Sequence, residues 1–354
     1  MLLPVTRFRS ARKSVVVTAM VATVLLMLLL LPVALDYRNP PPAHAGDGDL
    51  ALYGRIVADL RAGQSFYPAA HTELAAGYYG TLSVLNWRTP AYPWILSLFP
   101  SNAAAQMALG GLALLAAAAA YALFRRQANW LVAATLAPLL LISLGGCLAP
   151  MTVLYSEYAS GLLILLSASC FGLGYRRTGL VTGVLALFTR ERAAPYVIIS
   201  LALAARERRF GEAAAWLLAI VAYAAFYFWH YQMVQAQLGP GDFAYPGGWL
   251  RLGGASFVLS TAGFNGLLAA APLWISAILL PLGILGLVAW PGPADVRIAL
   301  TVFAYLSAFA IVGKPLNEYW GAMYTPLLTL GLPWAGLAAI DMVRGAKRPS
   351  GSAA

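Results

Sequence analysis

The chain has 354 residues, of which 61% are hydrophobic and only 10% are charged. Soluble domains usually carry about 25% charged residues, and the mean hydropathy here is +0.74, so the composition excludes an ordinary soluble protein and predicts an all-α polytopic membrane protein. The formal net charge of +10 is high enough to suggest nucleic acid. The cations, however, cluster in short links between apolar segments, as the positive-inside rule describes, and nucleic acid is not an expected partner.

The first apolar segment follows a short basic stretch. Arg7, Arg9, Arg12 and Lys13 precede an unbroken apolar run from Ser14 to Leu35. A run of about 22 residues is long enough to cross a bilayer, whereas the apolar core of a cleaved signal peptide is usually about 7–15 residues long. Residues 1–35 are therefore predicted to form a cytoplasmic N-terminus and an uncleaved first transmembrane helix.

The longest polar stretch, residues 36–101, is predicted to be a periplasmic loop that carries interfacial helices. Asp49 is a suitable N-cap for a helix over 49–62, in which apolar residues recur on one side. Gly63 is the predicted stop of that helix. A second amphipathic piece, roughly Tyr92–Leu98, is rich in Trp and Tyr, which favour the headgroup zone.

The rest of the chain divides into apolar segments. They are predicted at about 102–124, 129–147, 152–174, 178–189, 193–205, 211–231, 270–290, 298–313 and 319–340. These segments give transmembrane helices 2–7 within 102–231, a second periplasmic loop over 232–269, helices 8–10 within 270–340 and a cytoplasmic tail over 341–354. With the first helix, this layout has about ten crossings.

The charges agree with that layout and single out a few exceptions. Fifteen of the 23 Lys and Arg residues fall on its cytoplasmic side. Arg190, Arg192 and Lys314 fall on the outer side, where apolar segments meet the membrane edge. The two segments that flank Arg190-Glu191-Arg192 are each too short to span, so their junction is expected within the membrane or at a recessed cavity. Charges at such depth are costly and usually line a polar site.

Several of these residues occur in patterns that resemble a known family. The loop contains Asp49-x3-Tyr53-x2-Ile56, then Gly63, then Arg88-Thr89-Pro90-x2-Pro93-Trp94. This pattern resembles the first periplasmic loop of GT-C glycosyltransferases, above all the branch with the lipid A aminoarabinose transferases and protein O-mannosyltransferases. Later segments that look similar to that family are Ser156-Glu157-Tyr158, Arg190-Glu191-Arg192-x2-Pro195 and Asn317-Glu318-Tyr319-Trp320-x5-Pro326. The chain departs from the family in reading Asp47-Gly48-Asp49 instead of adjacent carboxylates, and in having no clear C-terminal soluble domain.

The resemblance implies an enzyme of the bacterial inner membrane. It would transfer a sugar from a polyprenyl-phosphate donor to a periplasmic acceptor, which is a lipid, a glycan or a protein, with membrane lipids as further partners. A carboxylate must take the proton of the acceptor hydroxyl, and cations must hold the leaving phosphate. The implied catalytic residues are Asp49, Asp47 and Glu157. The implied phosphate-binding residues are Arg88, Arg190, Arg192 and Lys314, and other cavity residues are Tyr53, Glu191, Glu318 and Tyr319.

Metal dependence stays open at this point. The three histidines are scattered and predict no protein metal cage. No cofactor is firmly expected, although a divalent cation held by Asp49 and Glu157 remains an alternative.

Plainer interpretations also stay open. Asp49 is a helix cap in one of them, Arg88 anchors lipid headgroups, and Arg190 and Arg192 simply pair with Glu191. The alternative function is a transporter or flippase of lipid-linked or anionic substrates, which would explain broken helices and buried charges, and a third is a non-catalytic assembly subunit. The absence of inverted repeats and the long acidic outer loop argue against transport. The enzyme hypothesis requires Asp49, Arg88 and Arg190 or Arg192 to converge on one outward-facing cavity.

Overall fold

The computed structural model describes residues 4–38, 48–245, 251–266, 268–292, 294–314 and 316–346. Every regular element in these ranges is helical. The α-helices are α1 Lys13–Asp36, α2 Gly48–Arg61, α3 Phe66–Ala76, α4 Ala91–Ser97, α5 Asn102–Arg125, α6 Trp130–Ser143, α7 Ser156–Leu173, α8 Arg176–Thr189, α9 Ala194–Arg206, α10 Phe210–Gln235, α11 Gly254–Gly263, α12 Leu273–Ala289, α13 Asp295–Ile311, α14 Thr325–Thr329 and α15 Leu332–Ala346. Short 3-10 helices cover Arg7–Arg9, Val84–Asn86, Leu144–Leu148, Thr152–Leu154, Glu191–Ala193 and Glu318–Met323.

Within the described ranges, six helices are long and apolar enough to cross a membrane. They are Lys13–Asp36, Asn102–Arg125, Trp130–Leu148, Ser156–Leu173, Phe210–Gln235 and Thr325–Arg344, where the last joins α14 and α15. This set suggests a membrane protein, but the predicted count of about ten crossings is not confirmed. The α8 and α9 helices have only 14 and 13 residues, and 14 helical residues rise only about 21 Å.

The predicted segment 319–340 is interrupted in the structure. A 3-10 helix, α14 and α15 replace one continuous helix. Pro326 lies in the first turn of α14, where its missing N–H costs nothing. Gly331 then separates α14 from α15, and a Cβ atom there would lie 2.1 Å from the carbonyl oxygen of Gly283. The apolar pattern did not reveal this break because the residues on both sides of it, 325–331, are buried and mostly apolar.

Two helices lie where loops were expected. The α3 helix, Phe66–Ala76, occupies part of the long polar stretch, and α11, Gly254–Gly263, lies inside the predicted loop 232–269. Both are short and contain small or polar residues, so neither shows a strong period in the sequence. The α3 helix packs on α2 and helps to fix the orientation of α2.

The α7 and α8 helices are packed neighbours at the centre of the bundle. Glu157 at the start of α7 contacts Arg190, which directly follows α8. The opposite end of α8 begins at Arg176, which pairs with Glu212 at the start of α10. We call these the Asp49 end and the Glu212 end. They are separated by the length of α8, about 20 Å at 1.5 Å per residue.

The α2 helix lies at the Asp49 end, packed on α3 and α4. Its apolar side joins a buried cluster whose members include Leu52, Ile56, Phe66, Leu74 and Trp87. Gly63 has φ +89°, the left-handed conformation that commonly follows a helix C-terminus, which confirms the predicted stop. The helix begins at Gly48, so Asp49 lies in its first turn and is not the N-cap that the sequence indicated.

Contacts between distant parts of the chain close the Glu212 end. The backbone N–H and the hydroxyl of Thr6 both donate to Asp341 Oδ2 at 2.9 Å. Arg7 forms an ion pair with Asp295 at the start of α13. The first 3-10 helix is thereby attached to α13 and α15.

Candidate functional site

Asp49 is held by two tyrosines. The Tyr319 hydroxyl donates to Asp49 Oδ2 at 2.9 Å, and the Tyr79 hydroxyl donates to Oδ1 at 3.0 Å. Burial raises the pKa of Tyr319 well above its ordinary value. Burial also raises the pKa of Tyr79, and the negative charge of Asp49 raises it further. Both phenols therefore remain protonated and orient the carboxylate as donors.

Arg88 has an unusual backbone conformation. Its φ of +44° lies in the left-handed region, which non-glycine residues rarely adopt and which costs about 1–3 kcal/mol. The preceding Trp87 is buried, donates from Nε1 to the Thr81 carbonyl at 2.8 Å and stacks on His71. This anchoring holds the strained residue so that its side chain points towards α7.

The Arg88 guanidinium joins Asp49 to Glu157. Its NH1 group donates to Glu157 Oε2 at 3.1 Å and to Ser156 Oγ at 3.0 Å, while NH2 donates to the Tyr319 hydroxyl at 3.4 Å. The guanidinium also lies 3.9 Å from the centre of the Tyr53 ring. Burial alone would lower the pKa of Arg88, but the facing charge of Glu157 holds it above its ordinary value.

Glu157 is fully buried and faces three arginines. Besides Arg88, its Oε1 atom lies 2.9 Å from Arg190 Nε and 3.5 Å from Arg192 NH1. The Arg190 contact is an ion pair without hydrogen-bond geometry, since Nε–H has no acceptor aligned with it. Glu191 Oε1 lies 3.3 Å from Arg190 and 3.2 Å from Arg192, so both the proposed pairing with Glu191 and a link to Glu157 are present.

The turn between α8 and α9 positions this pair of arginines. Arg190 has extended backbone, and the 3-10 helix Glu191–Ala193 follows it before α9 begins. The Tyr305 hydroxyl donates to the Arg192 carbonyl at 2.7 Å. The Arg192 guanidinium lies 3.9 Å from the centre of the Trp320 ring, a cation–π contact. The junction is therefore buried in the protein, with 4% of the Arg190 side chain exposed.

Two further predicted residues lie beside Asp49. Burial raises the pKa of Glu318, and the charge of Asp49 adds to that rise. Burial lowers the pKa of Lys314, with the nearby charge of Arg251 acting in the same direction. The Lys314 ammonium lies 5.3 Å from the centre of the Tyr245 ring, so the structure places it on the Asp49 side and not among the three arginines. Asp47 lies outside the described residues.

The donor set does not fit a divalent cation shared by Asp49 and Glu157. Arg88 lies between the two carboxylates, and Glu157 already faces three guanidinium groups. In the described part of the chain, no group of three or more His, Cys, Asp or Glu side chains is arranged to hold a metal ion.

The arginine cluster is tightly packed. A cavity of about 20 Å³ adjoins Arg88, Arg190, Ser156 and Tyr53, which is room for about one water molecule. A larger anion therefore needs at least one arginine to turn away from Glu157.

Sequence reasoning missed two contributors to the site. Tyr79 follows Gly77 and Tyr78 in a turn, and no periodicity marks it as a partner of Asp49. Tyr155 stacks on Tyr319 with ring centres 4.5 Å apart, which fixes the bridging phenol. For Tyr155 the available signal was its position two residues before Glu157, whereas Tyr79 is 30 residues from Asp49 and has no such signal.

Comparison of the chain with protein-family models, curated proteins and solved structures gives no match. The interpretation of the site therefore depends on its geometry and chemistry.

Proposed function

We propose that this chain is a membrane glycosyltransferase that transfers a sugar from a polyprenyl-phosphate donor to a lipid, glycan or protein acceptor. One observation carries the proposal. Asp49 is joined through Tyr319 to Arg88, and Arg88, Arg190 and Arg192 surround Glu157 at one end of a bundle of apolar helices. A proton acceptor and a group of cations lie side by side, as transfer from a phosphate leaving group requires.

The proposed reaction uses both parts of the site. The acceptor hydroxyl oxygen attacks the anomeric carbon of the sugar, and Asp49 takes the hydroxyl proton. The bond between the anomeric carbon and the phosphate oxygen breaks, and its electron pair leaves with the phosphate. Guanidinium groups stabilise the charge that develops there, and their planar donors match phosphate oxygens in pairs.

The packing of the cluster sets a condition on donor binding. The phosphate competes with Glu157 for the arginines because the adjoining cavity is so small. Arg192 is the most exposed of the three arginines, with 17% of its side chain accessible. In this proposal, Glu157 neutralises the buried guanidinium groups in the free enzyme, and the donor phosphate replaces it as their partner on binding.

The proposal also assigns an orientation. The Asp49 end faces the periplasm and the Glu212 end faces the cytoplasm, since Arg176, Arg209 and Arg297 meet Glu212 there. The N- and C-terminal segments then lie in the cytoplasm, α2 and α4 lie along the outer surface of the inner membrane, and about ten crossings connect the two sides.

Binding of polyprenyl phosphate to the protein in liposomes tests the phosphate site. We expect Arg88→Ala to weaken binding about 10-fold or more and Arg88→Lys to retain part of it, since an ammonium cannot grip phosphate bidentately. Arg176→Ala, in the Glu212 cluster, is the matched control and should bind as wild type does. Unchanged affinity in Arg88→Ala would leave Arg88 as a headgroup anchor and remove the phosphate site.

Product mass spectrometry separates transfer from transport. Liposomes that contain the protein receive polyprenyl-phosphate sugars and a membrane lipid extract. A new glycoside together with free polyprenyl phosphate supports the transferase. Movement of intact donor across the bilayer with no glycoside would instead establish the flippase alternative.

A further inference from the structure

A second and much larger cavity lies at the Asp49 end, between the end of α1 and the start of α11. Its volume is about 650 Å³, within the range of about 300–1,000 Å³ typical of small-molecule sites. It is lined by Pro32, Val33, Asp36, Tyr37, Arg38, Leu252, Gly253, Ser256, Phe257, Ser260 and Gly313. None of the phosphate-site arginines is among these residues.

The lining changes character along α1. Pro32 and Val33 are apolar and lie one helical turn below Asp36, about 6 Å along the axis. The rim carries the opposite charges of Asp36 and Arg38 and the hydroxyl of Ser256. An apolar floor under a polar rim without net charge fits an amphiphile with a neutral or zwitterionic headgroup.

The cavity opens to the protein surface, where its lining residue Leu252 is 83% exposed. The outward face of α1 is exposed and apolar, as at Leu28, Leu29 and Leu35. Such a face is suited to lipid chains. A lipid beside α1 would have its headgroup at the level of Asp36 and Arg38.

The wall opposite α1 is built by close backbone contacts. The Gly313 N–H donates to the Arg251 carbonyl at 2.8 Å. A Cβ atom at Gly253 would lie 2.0 Å from the Phe309 carbonyl oxygen. These contacts fix the start of α11 against the end of α13 and hold the cavity open beside α1.

The cavity adjoins the Asp49 side of the candidate site. The α11 helix, which supplies part of the lining, packs against the 3-10 helix Glu318–Met323. The packing is close, because a Cβ atom at Gly321 would lie 1.9 Å from the Thr261 carbonyl oxygen. Glu318 precedes Tyr319, whose hydroxyl donates to Asp49. The cavity lining is therefore connected to Asp49 through the 3-10 helix that carries Tyr319.

We infer that this cavity receives the headgroup of the acceptor, a membrane amphiphile that bears free hydroxyl groups and no net charge. The acceptor role rests on the proposed function, whereas binding of the amphiphile does not. An acceptor hydroxyl that enters from α1 and α11 meets Asp49 before it meets the donor phosphate. The two substrates then approach the carboxylate from opposite sides.

Photolabelling tests the cavity without any transfer assay. The probe is dodecyl maltoside with a diazirine on its sugar headgroup, added to the protein in lipid nanodiscs. We expect labelling of the segments 32–38 and 251–260 in the wild type and a loss of about 10-fold in Ser256→Trp, which fills the cavity. Leu35→Trp is the matched control, because Leu35 is 65% exposed and lies outside the lining. Val33→Trp fills the cavity from the other wall and replaces Ser256→Trp if that variant does not fold.

The outcomes distinguish this inference from the proposed function. Labelling that persists in both filled variants, or that spreads evenly along exposed α1, overturns the cavity site. Polyprenyl phosphate should bind Ser256→Trp as tightly as wild type. In the transfer assay, the acceptor KM should rise about 10-fold while the donor KM stays within about twofold. Equal rises in both constants, or labelling without transfer from any donor, would overturn the acceptor role.

Discussion

The two ends of the bundle contain clusters that look alike in composition and differ in their surroundings. Each has one glutamate that faces three arginines. At the Asp49 end, the exposed side-chain fractions are 0% for Glu157, 8% for Arg88, 4% for Arg190 and 17% for Arg192. At the Glu212 end, they are 11% for Glu212, 39% for Arg176, 36% for Arg209 and 8% for Arg297.

The difference shows what each cluster does for the protein. Exposed ion pairs contribute about 0–1 kcal/mol to the stability of a folded protein. The pairs of Arg176 and Arg209 with Glu212 therefore stabilise the contacts between helix ends only slightly. A buried group of charges costs desolvation energy that its own attraction barely offsets. The cluster around Glu157 also adjoins a tyrosine-held carboxylate and a strained backbone at Arg88. Costly features gathered in one place are more typical of a functional site than of a stabilising one.

The largest expected effect comes from Asp49→Asn. This change keeps the size of the side chain and removes the proton acceptor, so transfer should fall about 100-fold or more. Initial rates of glycoside formation by the reconstituted variant provide the measurement. Asp59→Asn, on the same helix, is the control and should retain activity. Near-normal transfer by Asp49→Asn would remove Asp49 from the mechanism.

A paired substitution contrasts the clusters directly. Glu157→Gln leaves three buried guanidinium groups with only Glu191 to offset them, and it should lower the free energy of unfolding by about 3–5 kcal/mol. Glu212→Gln, with more exposed partners, should cost about 1 kcal/mol or less. Chemical denaturation in detergent measures both. The affinity for polyprenyl phosphate should rise only in Glu157→Gln. Equal changes in stability and affinity in the two variants would show that the two clusters do not differ in function.

The two tyrosines on Asp49 predict a smaller, graded effect. Tyr319→Phe removes a donor to the carboxylate and the contact with Arg88, whereas Tyr79→Phe removes the bond to Oδ1 but does not touch Arg88. A hydrogen bond to a charged group contributes about 1.5–3 kcal/mol, so Tyr319→Phe should lower kcat by about 10-fold or more. Steady-state kinetics should show a smaller loss for Tyr79→Phe; the reverse order would argue against Tyr319 as the link.

The smallest effect concerns pH and a contact beside the site. Partial burial would raise the pKa of Asp242, but the Gly239 N–H and the His71 ring favour the ionised form and hold the pKa below its ordinary value. A lowered pKa in the folded protein adds stability above the unfolded value of about 3.9, and that stability is lost as pH falls through the folded value. Thermal unfolding between about pH 6 and 3 should therefore show a loss at low pH. Asp242→Asn should remove that part of the pH dependence, and an unchanged profile would contradict the assignment.

The sequence predicted the parts of the fold that depend on continuous apolar stretches and backbone stops. The α1 and α5 helices lie within one residue of their predicted bounds, and Gly63 ends α2 as expected. The break between α14 and α15 was missed because residues 325–331 around it are buried, so the hydropathy does not change there. The α3 and α11 helices were missed because their stability comes from packing on neighbours, which no local pattern records.

The sequence identified most residues of the candidate site, but it did not predict which of them contact one another. Charges at apolar junctions identified Arg190 and Arg192, and the structure brings both to Glu157. The role of Tyr79 and the separate position of Lys314 depend on contacts between segments far apart in the chain. Such contacts are decided by the tertiary fold and leave no spacing signal in a single sequence.

The attachment of the N-terminal segment has a consequence for how the protein assembles. The α1 helix packs against α12 and α15, and Thr6 bonds to Asp341, a partner 335 residues away. In a membrane protein with this order of helices, α1 would enter the lipid before α12 and α15 are synthesised, so it would have to be stable there without these contacts. The most apolar 18-residue stretch of α1 has a mean hydropathy of 2.7, the highest of the six candidate spans. Only 11% of that stretch is buried in the folded protein. The apolar surface on all sides of α1 contributes little to the core. It would, however, let α1 remain stable in a bilayer until α15 is synthesised and packs against it.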